Sequence, residues 1–171
     1  MTALLRTATA LVAALALLPI AARSAGVDEL GRYAGSWTST GTFVDTPYSK
    51  AGSADADTTC AWSTDRGFMI CQQRVTLSGK TEHDLGIYTY DGATNAYHFV
   101  AVRTTGPSSP DIAMDSTSVT YVNSFNDNGK QVTVRTTNLW VGPDRYTWRT
   151  EYSTDSGATW TLMASGSAAR R

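Results

Sequence analysis

From Gly35 onward the sequence is a succession of Val-, Thr- and aromatic-rich runs separated by connections of hairpin length. Asp91-Gly92-Ala93-Thr94-Asn95, Asn126-Asp127-Asn128-Gly129 and Gly142-Pro143-Asp144 are turn signals. Gly and Asn accept the positive φ of tight turns, Asp bonds its own backbone, and Pro presets a turn dihedral. Connections this short join antiparallel neighbours and leave no room for the long crossovers of a parallel sheet. The runs 37–43, 57–63, 68–77, 81–90, 96–105, 116–125, 130–141, 145–153 and 159–165 therefore predict a meander of about nine strands. A meander of that length must cover its edges or close on itself, and closure removes them. The predicted fold class is all-β: an up-and-down antiparallel β-barrel of about nine strands behind a short N-terminal helix. A β-sandwich with Greek-key crossings is the alternative. The helix is Val27 to Tyr33, and Gly35-Ser36-Trp37 opens the first strand. Asp45 to Ser53, with Pro47 and Gly52, reads as a loop across one open end.

One register can be read from the turn alone. The runs 57–63 and 68–77 flank Thr64-Asp65-Arg66-Gly67, and a four-residue loop ending in Gly suits a type I turn with the Gly left-handed. That register sets Cys60 directly opposite Cys71, where Cβ atoms come close enough for a disulfide. These are the only two cysteines, so one intrachain pairing exists. A disulfide suits an oxidising compartment.

The N-terminus points the same way. Arg6 is followed by an Ala- and Leu-rich run from Ala8 to Ala22 that contains Pro19, and Ala22-Arg23-Ser24 places small residues at a cleavage position. This is the layout of a secretory signal peptide spanning residues 1–24, with one domain from 25 to 171. The apolar run is shorter than the roughly 20 residues of a spanning helix, so no membrane span is expected once the signal is removed. The whole chain has a net charge of −1, and loss of Arg6 and Arg23 takes it to −3. A mildly acidic protein lacks the electrostatic footprint for nucleic acid or anionic lipid. An exported protein, periplasmic or extracellular, is expected, and its oligomeric state is not legible.

The helix, Gly35-x-Trp37 and the meander together resemble the lipocalin-like, or calycin, superfamily. The resemblance implies that Trp37 plugs the barrel floor beneath an Arg from a late strand, for which Arg145 or Arg149 is available. A nearer resemblance is to the bacterial lipocalin-like family called domain of unknown function 1579. It is carried by Leu30 with Gly35 and Trp37, by Asp65-Arg66-Gly67 where the family tends to have Gly-Gly-Arg, and by Thr89-Tyr90-Asp91 followed by Tyr97. Near the end it is carried by Ser153-Thr154-Asp155-Ser156-Gly157-Ala158-Thr159-Trp160. The family supplies no established catalytic residues, so none is assigned.

The last motif also matches the Asp-box of sialidases, a hairpin in which the Asp accepts from turn amides, the Gly takes positive φ and the Trp packs beneath. One copy cannot make a propeller, so Asp155, Gly157 and Trp160 are read as structural, with Gly35 and Trp37. His83 and His98 are offset along neighbouring strands and fall short of the three or four ligands zinc needs, so no metal is expected. Haem needs only one axial His. However, the haem-binding nitrobindins carry Gly-x-Trp-x-Gly-x-Gly, and here Ser39 replaces the first later Gly while Gly41 remains. No cofactor is expected. A Gly-x-Ser-x-Gly nucleophile elbow is missing, which argues against hydrolase chemistry.

Five tryptophans and eight tyrosines remain to be placed. Barrels of eight to ten strands can hold a small molecule, and pockets favour aromatic walls with a few polar groups. Trp62, Tyr88, Tyr90, Tyr97, Trp140 and Trp148 are candidate walls for a small, mostly apolar ligand. Arg135 and Arg149 are candidates to hold an anionic head group. In 145–153, Tyr146, Trp148 and Tyr152 share one face, opposite Arg145, Arg149 and Glu151. In 81–90, Glu82, Asp84, Tyr88 and Tyr90 oppose Leu85 and Ile87, as in a polar-aromatic lumen or at a wet edge. A small exported enzyme and a filled, purely structural barrel are the competing readings.

Overall fold

The computed structural model describes residues 26–171; the expected signal segment lies outside the described residues. Among the described residues, a single 3-10 helix, Val27–Tyr33, leads into eleven strands. These are β1 (Gly35–Phe43), β2 (Gly52–Trp62), β3 (Phe68–Leu77), β4 (Lys80–Asp91), β5 (Ala96–Arg103), β6 (Gly106–Ser108), β7 (Asp111–Met114), β8 (Ser118–Asp127), β9 (Lys130–Gly142), β10 (Arg145–Ser153) and β11 (Thr161–Arg170). All pair antiparallel in one sheet of order β6-β5-β4-β3-β2-β1-β11-β10-β9-β8-β7. The sheet curls into a barrel open along one seam. The nine expected strands are present, and the two extra ones, β6 and β7, form the free edges within the expected 106–110 loop and the stretch after it. Both are short, and Pro107 within β6 suits an edge position, where no ladder N–H is needed.

The first and last strands are neighbours in the middle of the sheet, with Trp37 opposite Arg170 and Gly41 opposite Gly166. The seam between β6 and β7 carries no hydrogen-bonded ladder. It is spanned inside by rings: Phe99 of β5 lies 5.2 Å from Tyr121 of β8, and the Tyr88 hydroxyl of β4 lies 2.9 Å from that of Tyr121.

The β2–β3 register is the expected one, and Cys60 and Cys71 are paired and bonded. The turn residue with positive φ is Arg66, not Gly67. Asp65 fixes this turn by accepting from the Ser63 hydroxyl at 2.6 Å and the Gly67 amide at 3.1 Å.

The helix plugs one end. Asp28 and Glu29 in its first turn and Arg32 in its last suit the peptide dipoles, and Leu30 and Tyr33 turn into the barrel, fully or nearly buried. Gly35 has φ 105°, a backbone conformation that favours Gly, and a Cβ there would lie 2.8 Å from Arg170 Nη1. Trp37 is 2 % exposed and donates from Nε1 to the Tyr33 carbonyl at 2.8 Å. The Arg170 guanidinium lies over the Trp37 ring at 4.4 Å and also bonds the carbonyls of Arg32 and Ala34. The floor arginine is thus Arg170, from the far end of a last strand longer than expected. Arg145 and Arg149 face outward from β10, on the side opposite Tyr146 and Trp148.

At the other end, the β1–β2 connection arches over part of the mouth. Its Tyr48 ring meets Phe125 at 5.7 Å and Tyr152 at 4.9 Å, and the hydroxyl donates to Asp127 at 3.3 Å. The loop predicted across an open end is therefore found there.

Candidate functional site

Strand alternation decides what the barrel encloses. From Trp37 the register carries the inward face to Thr58 on β2, Gln73 on β3 and Asp84 on β4, and the other way to Arg170, Ala168 and Tyr146. Small residues crowd the inner face near the β1–β11 junction: Gly41, Ala54, Ala56, Ala164, Gly166 and Ala168. Rings come from the opposite side, and the space between is a cavity of about 610 Å³.

The cavity has three levels. At its floor, Tyr33, Tyr88 and Tyr121 bring their hydroxyls together. Tyr33 and Tyr121 are 2.8 Å apart, Tyr88 and Tyr121 are 2.9 Å apart, and Asn138 donates from Nδ2 to the Tyr33 oxygen at 3.1 Å. Tyr33 and Tyr88 also stack at 5.2 Å. Burial holds all three phenols well above the usual tyrosine range; the Tyr88 phenol raises Tyr33 further, and Tyr33 and Tyr88 raise Tyr121. Burial raises neighbouring Tyr146 to about 12. These groups stay neutral donors at any physiological pH.

In the middle, two rings lie flat over strands that lack a Cβ. Trp148 covers Gly41 and Gly166, where a built Cβ on either would collide with the indole, and Nε1 donates to Ser39 Oγ at 2.8 Å. Phe99 covers Gly86 in the same way. Glycine under an aromatic ring lets the ring pack on the backbone and fixes its orientation. These walls are preformed.

The mouth is polar and acidic. Glu82, Asp84 and Arg103 line it with Phe43, Leu77 and Phe125, while Asp55, between the inward Ala54 and Ala56, turns its side chain outward. Arg103 pairs with Asp84 at 3.2 Å, while the other carboxylate oxygen of Asp84 is buried without a hydrogen-bond partner. Two acids against one arginine make this a negative environment. No group of three or more metal-ligating side chains occurs among the described residues.

Of the sequence-selected ligand candidates, Tyr88 and Trp148 stand at the cavity wall. Trp62, Tyr90, Tyr97 and Trp140 instead pack at the helix-plugged end. Tyr97 is tied to Gly26 through its hydroxyl at 3.1 Å, and Trp140 meets Tyr33 edge-on at 5.0 Å. Arg135 and Arg149 turn outward, away from the cavity. Both clasp Glu151, at 2.9 Å and 2.6 Å, and Glu151 is 4 % exposed beneath them. Arg135 also lies over Trp160 at 3.9 Å. The pairing of Glu151 with Arg135 across β9 and β10 puts these groups on the outer face. Tyr33, Phe99, Tyr121 and Asn138 were not selected from the sequence. The helix position of Tyr33, four residues before Trp37, was the one available hint.

The last hairpin is built as the motif implied. Asp155 accepts from the Thr159 amide at 2.9 Å and hydroxyl at 2.6 Å, and from the Ser153 hydroxyl at 2.7 Å. Gly157 has φ 89° and lies against the Trp160 ring. These bonds, the Thr159 hydroxyl first, lower the Asp155 carboxyl to about 2.

A curled antiparallel meander with a helical plug, a Trp–Arg floor and an internal cavity defines a lipocalin-like β-barrel. Solved structures that share it include Rv2717c from M. tuberculosis, at 13% identity and TM-score 0.58, covering 85% of this chain and 96% of that one; and the S-type phycobiliprotein lyase CPES from Guillardia theta, at 13% identity and TM-score 0.55, covering 85% and 92%. No family model matches this chain, and no curated protein does.

Proposed function

We propose that this protein is exported and binds a small, mostly apolar molecule inside its barrel, without covalent chemistry. The observation that carries this reading is the cavity. Its volume of about 610 Å³ falls within the range of small-molecule pockets, and preset aromatic walls with a few convergent polar groups are what such pockets offer. A barrel shared with a phycobiliprotein lyase supports the same reading. The Cys60–Cys71 disulfide and the signal-like N-terminus support export. The short motifs around Trp37, Tyr90 and Trp160 support placement beside the bacterial domain of unknown function 1579.

Native mass spectrometry of protein purified from its own host tests for a resident ligand. Titration of tryptophan fluorescence with fatty acids, isoprenoids and aromatic metabolites tests the cavity directly, since Trp148 forms its wall. A saturable change with some member of the panel is expected. No saturable change, and no co-purifying mass, would leave the barrel a structural module.

A further inference from the structure

We propose that the ligand is uncharged and seats a carbonyl oxygen on the tyrosine floor. This rests on the cavity-binding reading above and specifies its chemistry. The argument is a count of protons. Tyr33, Tyr88 and Tyr121 bring three O–H donors, each with one proton. Among the described residues they share two hydroxyl–hydroxyl contacts, Tyr33 with Tyr121 and Tyr88 with Tyr121. Asn138 adds a further donor to Tyr33, not an acceptor. However the three protons are arranged, one has no acceptor within the network. All three rings line the cavity, and Tyr33 and Tyr88 are 5 % and 7 % exposed. A buried donor left unmade is costly, so a ligand that brings an acceptor gains a bond that a hydrocarbon cannot.

The charges facing the cavity argue that this acceptor is neutral. Glu82 and Asp84 are acidic, and Arg103, the cation among the lining groups, is engaged by Asp84. A carboxylate at the floor would be desolvated with no free cation lining it: Arg135 and Arg149 are held outside by Glu151, and Arg170, which is not among the lining groups, is engaged by Asp144 and the Arg32 and Ala34 carbonyls. A ketone, quinone or enone on an aromatic or alicyclic body satisfies the donor at no charge cost and fits between Trp148 and Phe99.

The test uses three probes of nearly one shape: fluorene, fluorenone and fluorene carboxylate, measured by equilibrium dialysis against the purified protein. One neutral hydrogen bond predicts that fluorenone binds about fivefold tighter than fluorene, with the carboxylate weakest. The triple variant Tyr33→Phe, Tyr88→Phe, Tyr121→Phe should equalise fluorene and fluorenone. The unsubstituted protein gives an independent readout if that variant does not fold. The infrared carbonyl stretch of bound fluorenone should fall below its position in hydrocarbon solvent. Equal binding of fluorene and fluorenone, or an unshifted stretch, overturns the carbonyl assignment while leaving the cavity reading intact. Tightest binding by the carboxylate overturns the neutral-ligand assignment. Failure of all three probes to bind overturns this proposal and counts against cavity binding itself.

Discussion

Trp37→Ala removes the piece on which the floor is assembled. The ring is 2 % exposed, faces Tyr146 at 5.3 Å and carries the Arg170 guanidinium at 4.4 Å. Truncating a buried Trp to Ala costs about 3–5 kcal/mol. The Tyr33 carbonyl also loses its indole donor, and Arg170 loses a ring face worth about 0.5–2 kcal/mol, so the upper half of the range is expected. Against a total of about 5–15 kcal/mol for a domain, the variant would be marginal. Urea unfolding followed by far-ultraviolet circular dichroism reads the loss without depending on the deleted chromophore. Trp37→Phe keeps an apolar ring and loses the N–H bond, so it should cost less than Trp37→Ala. Arg170→Leu should cost less in the Trp37→Ala background than alone, because its stacking partner is already gone. A loss below about 1 kcal/mol for Trp37→Ala would refute the floor argument, since such values belong to surface substitutions.

The Cys60–Cys71 bond joins residues 11 apart, so its reduction should cost about 2–3 kcal/mol in a denaturant titration; free thiols in material recovered outside the cytoplasm would contradict the pairing. Asp155, lowered from 3.8 to about 2, contributes stability that is present above the ordinary carboxyl range and is lost as pH falls through about 2. Carboxyl NMR should show that low midpoint, and an ordinary one would mean the turn bonds are not held in solution. Gly41→Ala or Gly166→Ala should clash with both the Trp148 indole and the facing Ser165 or Thr40 carbonyl, costing about 3 kcal/mol or more and weakening ligand binding, whereas Gly142→Ala, with open space around it, should stay within about 0.5 kcal/mol.

Features fixed by local chemistry were legible in the sequence. The 64–67 turn set the Cys60–Cys71 register, and Ser153 to Trp160 specified its own hairpin. Alternation in 145–153 put Tyr146 and Trp148 on one face, which is the inner one. What alternation could not give was sidedness in strands with similar residues on both faces. In β9, Thr and Val occur on either side, and Leu139 and Val141 are outward at 47 % and 60 % exposed, so Arg135 carried no sign of facing out. The tyrosine floor was hidden for another reason. Tyr33, Tyr88, Tyr121 and Asn138 come from the helix, β4, β8 and β9, and only the curl of the whole sheet brings them within hydrogen-bond reach. The floor arginine is not legible because the strand pattern of the sequence runs only to 165, short of Arg170.

The seam between β6 and β7 makes this sheet a meander whose chain has been cut in an unusual place. Read from β7 through β11, then β1 through β6, every spatial neighbour becomes a sequence neighbour. As the polypeptide runs, one junction breaks that rule: β1 must find β11, and Trp37 must find Arg170, across nearly the whole domain. That pairing carries the loop-closure entropy of the entire chain, so it sets a slow, late step in folding. A circular permutant that joins Arg171 to Gly26 through a flexible linker and opens between Ser109 and Pro110 would keep the sheet but make every contact between neighbouring strands local. It should refold faster than the parent chain, with the floor assembled early instead of last.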